Sequence, residues 1–263
     1  MNATADQIHR ALETVALLRQ QRAGQPALAL ANAAIKRFQG KRFQATYSDL
    51  LQNPRYHPAA HFFLQELYSD KDFAERDQQF ARIAKTIARL FPQAVVNTAA
   101  ALAEVHALTE QLDDAMAHAH VALQPARPEL CDAGDYIACW RQVANPAARQ
   151  QQLQVILALG RSLDSLTRKP GLQMLLKMMR GPAAAAGLGS LQMFLETGFG
   201  AFQTMRGADE FIKLIALREA DWIERLFEED AASCESALHE LLAAKTAVQE
   251  PIKDYLGQAP YGF

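Results

Sequence analysis

The sequence predicts an all-α protein, and three observations carry that prediction. Of its 263 residues, 49 are Ala and 33 are Leu, against 8 Val and 10 Ile. Strong helix formers therefore far outnumber the β-branched aliphatics that favour strands. Apolar residues recur at spacings of three and four, as in Ile8, Leu12, Val15 and Leu18, which is the period of a helix with one buried face. Pro and Gly punctuate these runs often enough to cut the chain into a multi-helix bundle of roughly ten to twelve helices.

The first helix starts near Thr4. Helix boundaries are then expected at Gly24-Gln25-Pro26, Gly40, Asn53-Pro54, Phe91-Pro92, Asn145-Pro146, Lys169-Pro170-Gly171, Gly181-Pro182, Gly207 and Glu250-Pro251. Each of these removes a backbone donor or relaxes the chain. The longest uninterrupted pattern runs from Pro92 to about Leu123. Gln124-Pro125-Ala126-Arg127-Pro128, followed by Gly134, reads as a linker. It divides the chain into an N-terminal half (1–124), a linker (125–134) and a C-terminal half (135–263), either as two packed halves or as one continuous domain. Phe63-Leu64 precedes Phe80 at the spacing by which Phe194-Leu195 precedes Phe211. Chance and an old duplication both accommodate this echo.

Half the residues are apolar and a fifth charged, with 27 Lys plus Arg against 29 Asp plus Glu. A disordered chain would be less apolar, a polybasic nucleic-acid binder more cationic, and a disulfide scaffold richer in Cys than three. Met1 to Arg10 lacks the apolar core of a secretory signal, and no apolar run reaches the roughly 20 residues that span a bilayer. Cys131, Cys139 and Cys234 have no CxxC spacing. The expectation is a cytoplasmic protein without a membrane span, its thiols free and packed.

Charge is unevenly distributed. From Ile8 to Arg42 there are seven cations and one anion, Glu13, whereas Glu219 to Phe263 holds ten acids and three bases. The two ends read as solvated faces that attract each other weakly. Alternatively, Lys36-Arg37 and Lys41-Arg42 form an anion contact; without a nucleic-acid-binding motif, nucleic acid is not the expected partner.

The segment from His61 to Asp77 reads as a helix end, a turn and a new helix start. Asp72 is placed to cap the second helix, with Glu75 reaching back in a capping box and Arg76 pairing with Asp72. Phe63, Leu67 and Phe73 would close the corner from inside. Phe62-Phe63-Leu64-Gln65-Glu66-Leu67-Tyr68 resembles the motif of the bacterial proteins named for FFLEELY, with Gln65 replacing one acid. The similarity extends through Arg76-Asp77 and, more loosely, to Met178-Met179-Arg180-Gly181-Pro182-Ala183 and Leu195-Glu196-Thr197-Gly198-Phe199. The resemblance implies membership of an uncharacterised family and no particular reaction. Glu66, Tyr68, Arg76 and Asp77 read either as structural corner residues or as a polar binding site.

The sequence has no HExxH, GxSxG, P-loop or complete GxGxxG. No Glu lies three residues before a His, which argues against a di-iron bundle. His57 and His61 have a spacing that suits two imidazoles on one metal, but Pro58 places His57 outside the regular helix. His118 and His120 face different directions and are expected to be solvated. His106 sits in a pattern like the proximal-histidine helix of globins, so it reads as a haem ligand or as a half-buried structural histidine. No metal or other cofactor is expected.

Seven of the 13 Gly and five of the 7 Met lie between Gly171 and Gly207. This concentration predicts a tightly packed central hairpin with Phe194, Phe199 and Phe202 in the core. It equally fits an adaptable apolar groove for a protein partner, a second copy of the chain or a hydrophobic small ligand. The leading expectation is a non-catalytic protein- or ligand-binding module. It would use Met178, Met179, Arg180, Met193, Phe194, Glu196 and Phe199, with Glu66, Tyr68, Arg76 and Asp77 at the corner. The alternative is an enzyme or a haem- or metal-binding sensor assembled from dispersed residues, among them Glu66, Tyr68, Arg76, Asp77 and His106.

Overall fold

Helices begin and end largely where the chain loses a backbone donor or gains a left-handed residue. In the computed structural model, which describes residues 3–66 and 71–249 with side chains to 244 in the last helix, there are ten helices of ten or more residues and three shorter ones. No strand occurs among the described residues. The order is α1 (Ala3–Ala23), α2 (Pro26–Thr46), α3 (Ser48–Gln52), α4 (His57–Glu66), α5 (Ala74–Leu90), α6 (Gln93–Leu123), α7 (Ala133–Val143), α8 (Pro146–Thr167), α9 (Leu172–Met178), α10 (Arg180–Ala185), α11 (Gly189–Met205), α12 (Asp209–Glu228) and α13 (Ala231–Gln249). Pro26 and Pro146 occupy the first turns of α2 and α8, where the missing N–H costs nothing. Gly40 does not end a helix: α2 continues through it to Thr46, held by the buried residues Phe38, Gln39, Arg42 and Phe43 on either side. Glu250-Pro251 lies outside the described residues.

The 31-residue α6 is the axis of the molecule. It packs against α1 and α2, and also against α7 and α8, while α11 lies on α4 and α8, α12 on α8, and α13 on α2 and α7. One buried core takes Ile8, Ile35 and Phe80 from before residue 124 and Tyr136, Phe202, Phe211 and Leu226 from after it. The two echoing aromatic steps meet inside it. The Phe62 ring centroid is 5.4 Å from that of Phe194, and Phe63 is 6.0 Å from Phe211.

The basic N-terminal region is only partly a solvated face. Arg22 and Lys36 both pair with buried Glu110 on α6, and Arg22 also reaches Asp114 at 3.2 Å. Buried Arg42 crosses to the acidic C-terminal region, donating to Glu219 at 2.7 and 3.3 Å. Arg22 and Lys36 are consumed inside the fold because α6 supplies Glu110, Asp113 and Asp114 within about one turn of helix. Burial pushes Glu110 up, but Lys36 and Arg22 outweigh it and hold its carboxyl at about 2. Asp113 is raised, because burial prevails over the pull of Lys36.

Candidate apolar ligand site

Several helices turn apolar stripes toward a common space that their side chains do not fill. Phe80, Ile83 and Ile87 on α5 and Leu159, Leu163 and Leu166 on α8 face it at helical spacing, with Leu102 from α6. Leu172, Leu175, Leu176 and Met179 close it from α9 and its C-terminal end, and Leu191, Phe194, Leu195 and Phe199 from α11. The cavity measures about 250 Å³. Of the side chains lining it, only Thr86, Thr98 and Gln192 carry oxygen or nitrogen, and none is charged.

The outer wall is thin. No residue of α9 is buried and α10 buries only Ala183; Leu172, Leu175 and Leu176 face the cavity, while Met174 and Met178 face outward. Both helices are fixed at the rim by polar contacts. Gln173 and Gln203 exchange amide hydrogen bonds at 2.6 and 3.2 Å, and Gln192 donates to the Leu176 carbonyl at 2.7 Å. Arg82 donates to the carbonyls of Ala186 and Gly187. Gly171 and Gly187, which bracket the two helices, have φ of +79° and +63°, a region open to Gly at little cost.

The hairpin residues singled out from sequence divide between the two sides of this wall. Met179, Phe194 and Phe199 line the cavity, whereas Met178 and Met193 are exposed outside it. Met174 is exposed too, so the hairpin is less tightly packed than expected, although Phe194, Phe199 and Phe202 are buried. Arg180 and Glu196 form a surface pair, with Nε donating at 2.7 and 2.8 Å. Arg180 and Gln192 hold the Glu196 carboxyl down, to about 2.

At the α4–α5 corner the structure brings Glu66, Arg76, Asp77 and His106 together. His106 Nε2 lies 2.9 Å from Asp77 Oδ2, which also accepts from Arg19 at 3.1 Å. Arg76 reaches Glu66 and Asp77, both at 3.4 Å, and lies over the rings of Phe73 and Phe194. Burial raises Asp77, but His106, Arg76 and Arg19 overcome it and leave the carboxyl below its ordinary range. The cluster is paired among its own members and lines neither described cavity. Sequence reading missed Arg19, which is 58 positions from Asp77. Tyr68 and Leu67 lie outside the described residues.

The expected capping box is not formed at this corner. Phe73, not Asp72, is the N-cap of α5, so Glu75 falls one position short of the reach-back site and bonds Gln79 instead. Asp72 accepts the Ala74 N–H at 2.8 Å, and Arg76 pairs with Glu66 and Asp77 in place of Asp72. A reciprocal capping box occurs at Asp132 and Asp135, starting α7.

The remaining histidines are placed as follows. His57 is the first residue of α4 rather than outside it, with Nδ1 2.6 Å from the Leu51 carbonyl oxygen, and its ring is 5.7 Å from that of His61. His118 is exposed, but His120 is fully buried with neither ring nitrogen partnered, because it continues the buried stripe of Met116 and Ala119. Among the described residues, no group of three or more His, Cys, Asp or Glu could hold a metal ion. Cys139 and Cys234 are buried and Cys131 half-buried. Burial pushes the Cys139 thiol up to about 12 and raises the other two, so all three are poor nucleophiles at neutral pH. A second cavity of about 70 Å³ lies beside Arg42, Tyr136, Trp140 and Glu219. No described helix is long and apolar enough to cross a membrane.

A family model described as "Domain of unknown function (DUF8198)" matches residues 18–233, more than four fifths of the chain. No curated protein and no solved structure matches it.

Proposed function

The chain belongs to the family of the domain of unknown function DUF8198, and we propose that it is a non-catalytic binding protein that holds a hydrophobic small molecule in the apolar cavity. The observation that carries this reading is the lining: about 250 Å³ of space with no charged wall residue. Apolar cavities of roughly 150 Å³ stay dry and take up benzene, so this one has room for a longer aliphatic or a fused aromatic molecule. The proposal includes a cytoplasmic location and kinship with the FFLEELY-motif bacterial proteins, supported by Phe62-Phe63-Leu64 and Glu66.

Titration with the uncharged dye Nile red tests the reading. Saturable binding with a rise in melting temperature is expected. Ala99→Phe, which places a ring in the cavity from a half-buried wall position, should abolish binding while leaving the protein folded. Absence of saturable binding, or binding unchanged in Ala99→Phe, would overturn the assignment.

A further inference from the structure

The cavity walls carry a charge pattern that the apolar lining does not require. Residues 78–103, which include most of α5 and the start of α6, contain Arg82, Lys85 and Arg89 and no acid. Residues 165–195, which run from the end of α8 into α11, contain four cations, Lys177 and Arg180 among them, and again no acid. These two stretches thus hold seven cations, against the two acids that bound the second one, Asp164 and Glu196, which pair with Arg168 and Arg180, in a chain whose net charge is -2. Solubility alone calls for mixed signs.

One polar corner joins this charge to the cavity. Gln192 lines the cavity and donates both to the Leu176 carbonyl and to Glu196 Oε1 at 2.8 Å. Glu196 in turn holds Arg180, and exposed Lys177 acts on the same carboxylate. That carboxylate, one residue away from the apolar space, therefore pairs with Arg180 and has Lys177 in its field. Around it, Met174, Met178 and Met193 are 63–70% exposed, so the corner is at once apolar, adaptable and positively charged.

Resting on the cavity as a ligand site, we propose that its occupant is a single-chain anionic amphiphile, with the aliphatic chain in the cavity and the carboxylate or phosphate head held by Arg180 and Lys177. Glu196 occupies Arg180 in the empty state and is displaced by the head. The apolar lining supplies affinity, and the cationic corner selects charged over neutral chains.

Displacement of Nile red by decanoate, decyl phosphate and decanol from the full chain tests this. Decanoate or decyl phosphate should compete about five-fold more strongly than decanol, and comparison of the two anions identifies the head group. Such a margin is of the size that partly exposed ion pairs provide. The surface variant Lys177→Gln/Arg180→Gln should lose that advantage while binding decanol as before, and Glu196→Gln should strengthen anion binding by releasing Arg180. Equal competition by decanol and both anions, or an advantage that survives in the double variant, overturns the amphiphile assignment and leaves the apolar site standing. If Nile red itself does not bind, the apolar site fails first.

Discussion

Gly198 on α11 lies against the Phe62 ring of α4 at the cavity wall. A Cβ there would lie 2.8 Å from Cζ of Phe62, a ring already packed against Phe194 and Phe63. Gly198→Ala must displace that ring, and overpacking of this kind costs about 1–3 kcal/mol. Gly181, in the first turn of α10, has nothing within 4 Å of the same position beyond its chain neighbours, so Gly181→Ala should change stability by less than about 1 kcal/mol, the gain in helix propensity working against the restriction that Pro182 places on the residue before it. Thermal unfolding followed by circular dichroism separates the two, and equal effects would contradict the packing described. Both glycines belong to the cluster visible in the sequence. Composition placed them in one hairpin but could not tell the one that abuts an aromatic ring from the one that faces solvent, because the ring comes from a residue 136 positions away.

At the scale of elements, α9 buries no residue and α10 only Ala183, whereas α6 has buried residues from Val96 to His120. Local opening is cheapest where few apolar groups are buried. Amides of residues 172–186 should therefore exchange at least about 100-fold faster than those in the middle of α6, and a cavity ligand should slow them by stabilising the closed wall. Hydrogen exchange with mass spectrometry reads both effects; uniform protection across α6, α9 and α10 would show that the wall is not the weakly held part. The helices themselves were legible: α1, the long α6 and the starts at Pro26 and Pro146 follow from periodicity and proline position. The hairpin residues Met179, Phe194 and Phe199 were legible as candidates for an apolar surface. The opposite walls on α5 and α8 were not, because Ile83, Ile87, Leu159 and Leu163 have the same spacing as any core-facing stripe. Whether such a stripe meets packed side chains or a void depends on distant helices. The acid-free stretches 78–103 and 165–195 are a signal in the sequence that could have pointed to both walls.

Across the whole molecule, the N-terminal helices are fastened to the axis by buried charge. Arg22 from α1 and Lys36 from α2 converge on Glu110, and Gln39 donates to Asp113 at 3.0 Å. Sequence reading registered the basic region and expected it to meet acids at the far end of the chain. Arg42 does so through Glu219, but the acids that hold Arg22 and Lys36 lie mid-chain on α6, where an amphipathic pattern does not announce buried carboxylates. The folded carboxyl of Glu110 sits at about 2 against an ordinary 4.5, so its stabilising contribution is complete above about pH 4.5 and is lost as pH falls toward 2. Asp77 and Asp49 are also lowered and act in the same direction. Asp113 is raised and opposes them, since protonation at low pH favours its folded form. The denaturant midpoint should consequently decline between about pH 4.5 and 2. Glu110→Gln should cost about 1.5–3 kcal/mol at pH 7, because it removes the charged partner shared by buried Arg22 and half-buried Lys36 while leaving them Asp114 and Asp113. It should also flatten the acid decline, since the variant has already lost the group whose protonation drives much of it. Urea titrations of both proteins at a series of pH values measure the two slopes; parallel declines would mean that acid stability is governed elsewhere than at this clamp on α6.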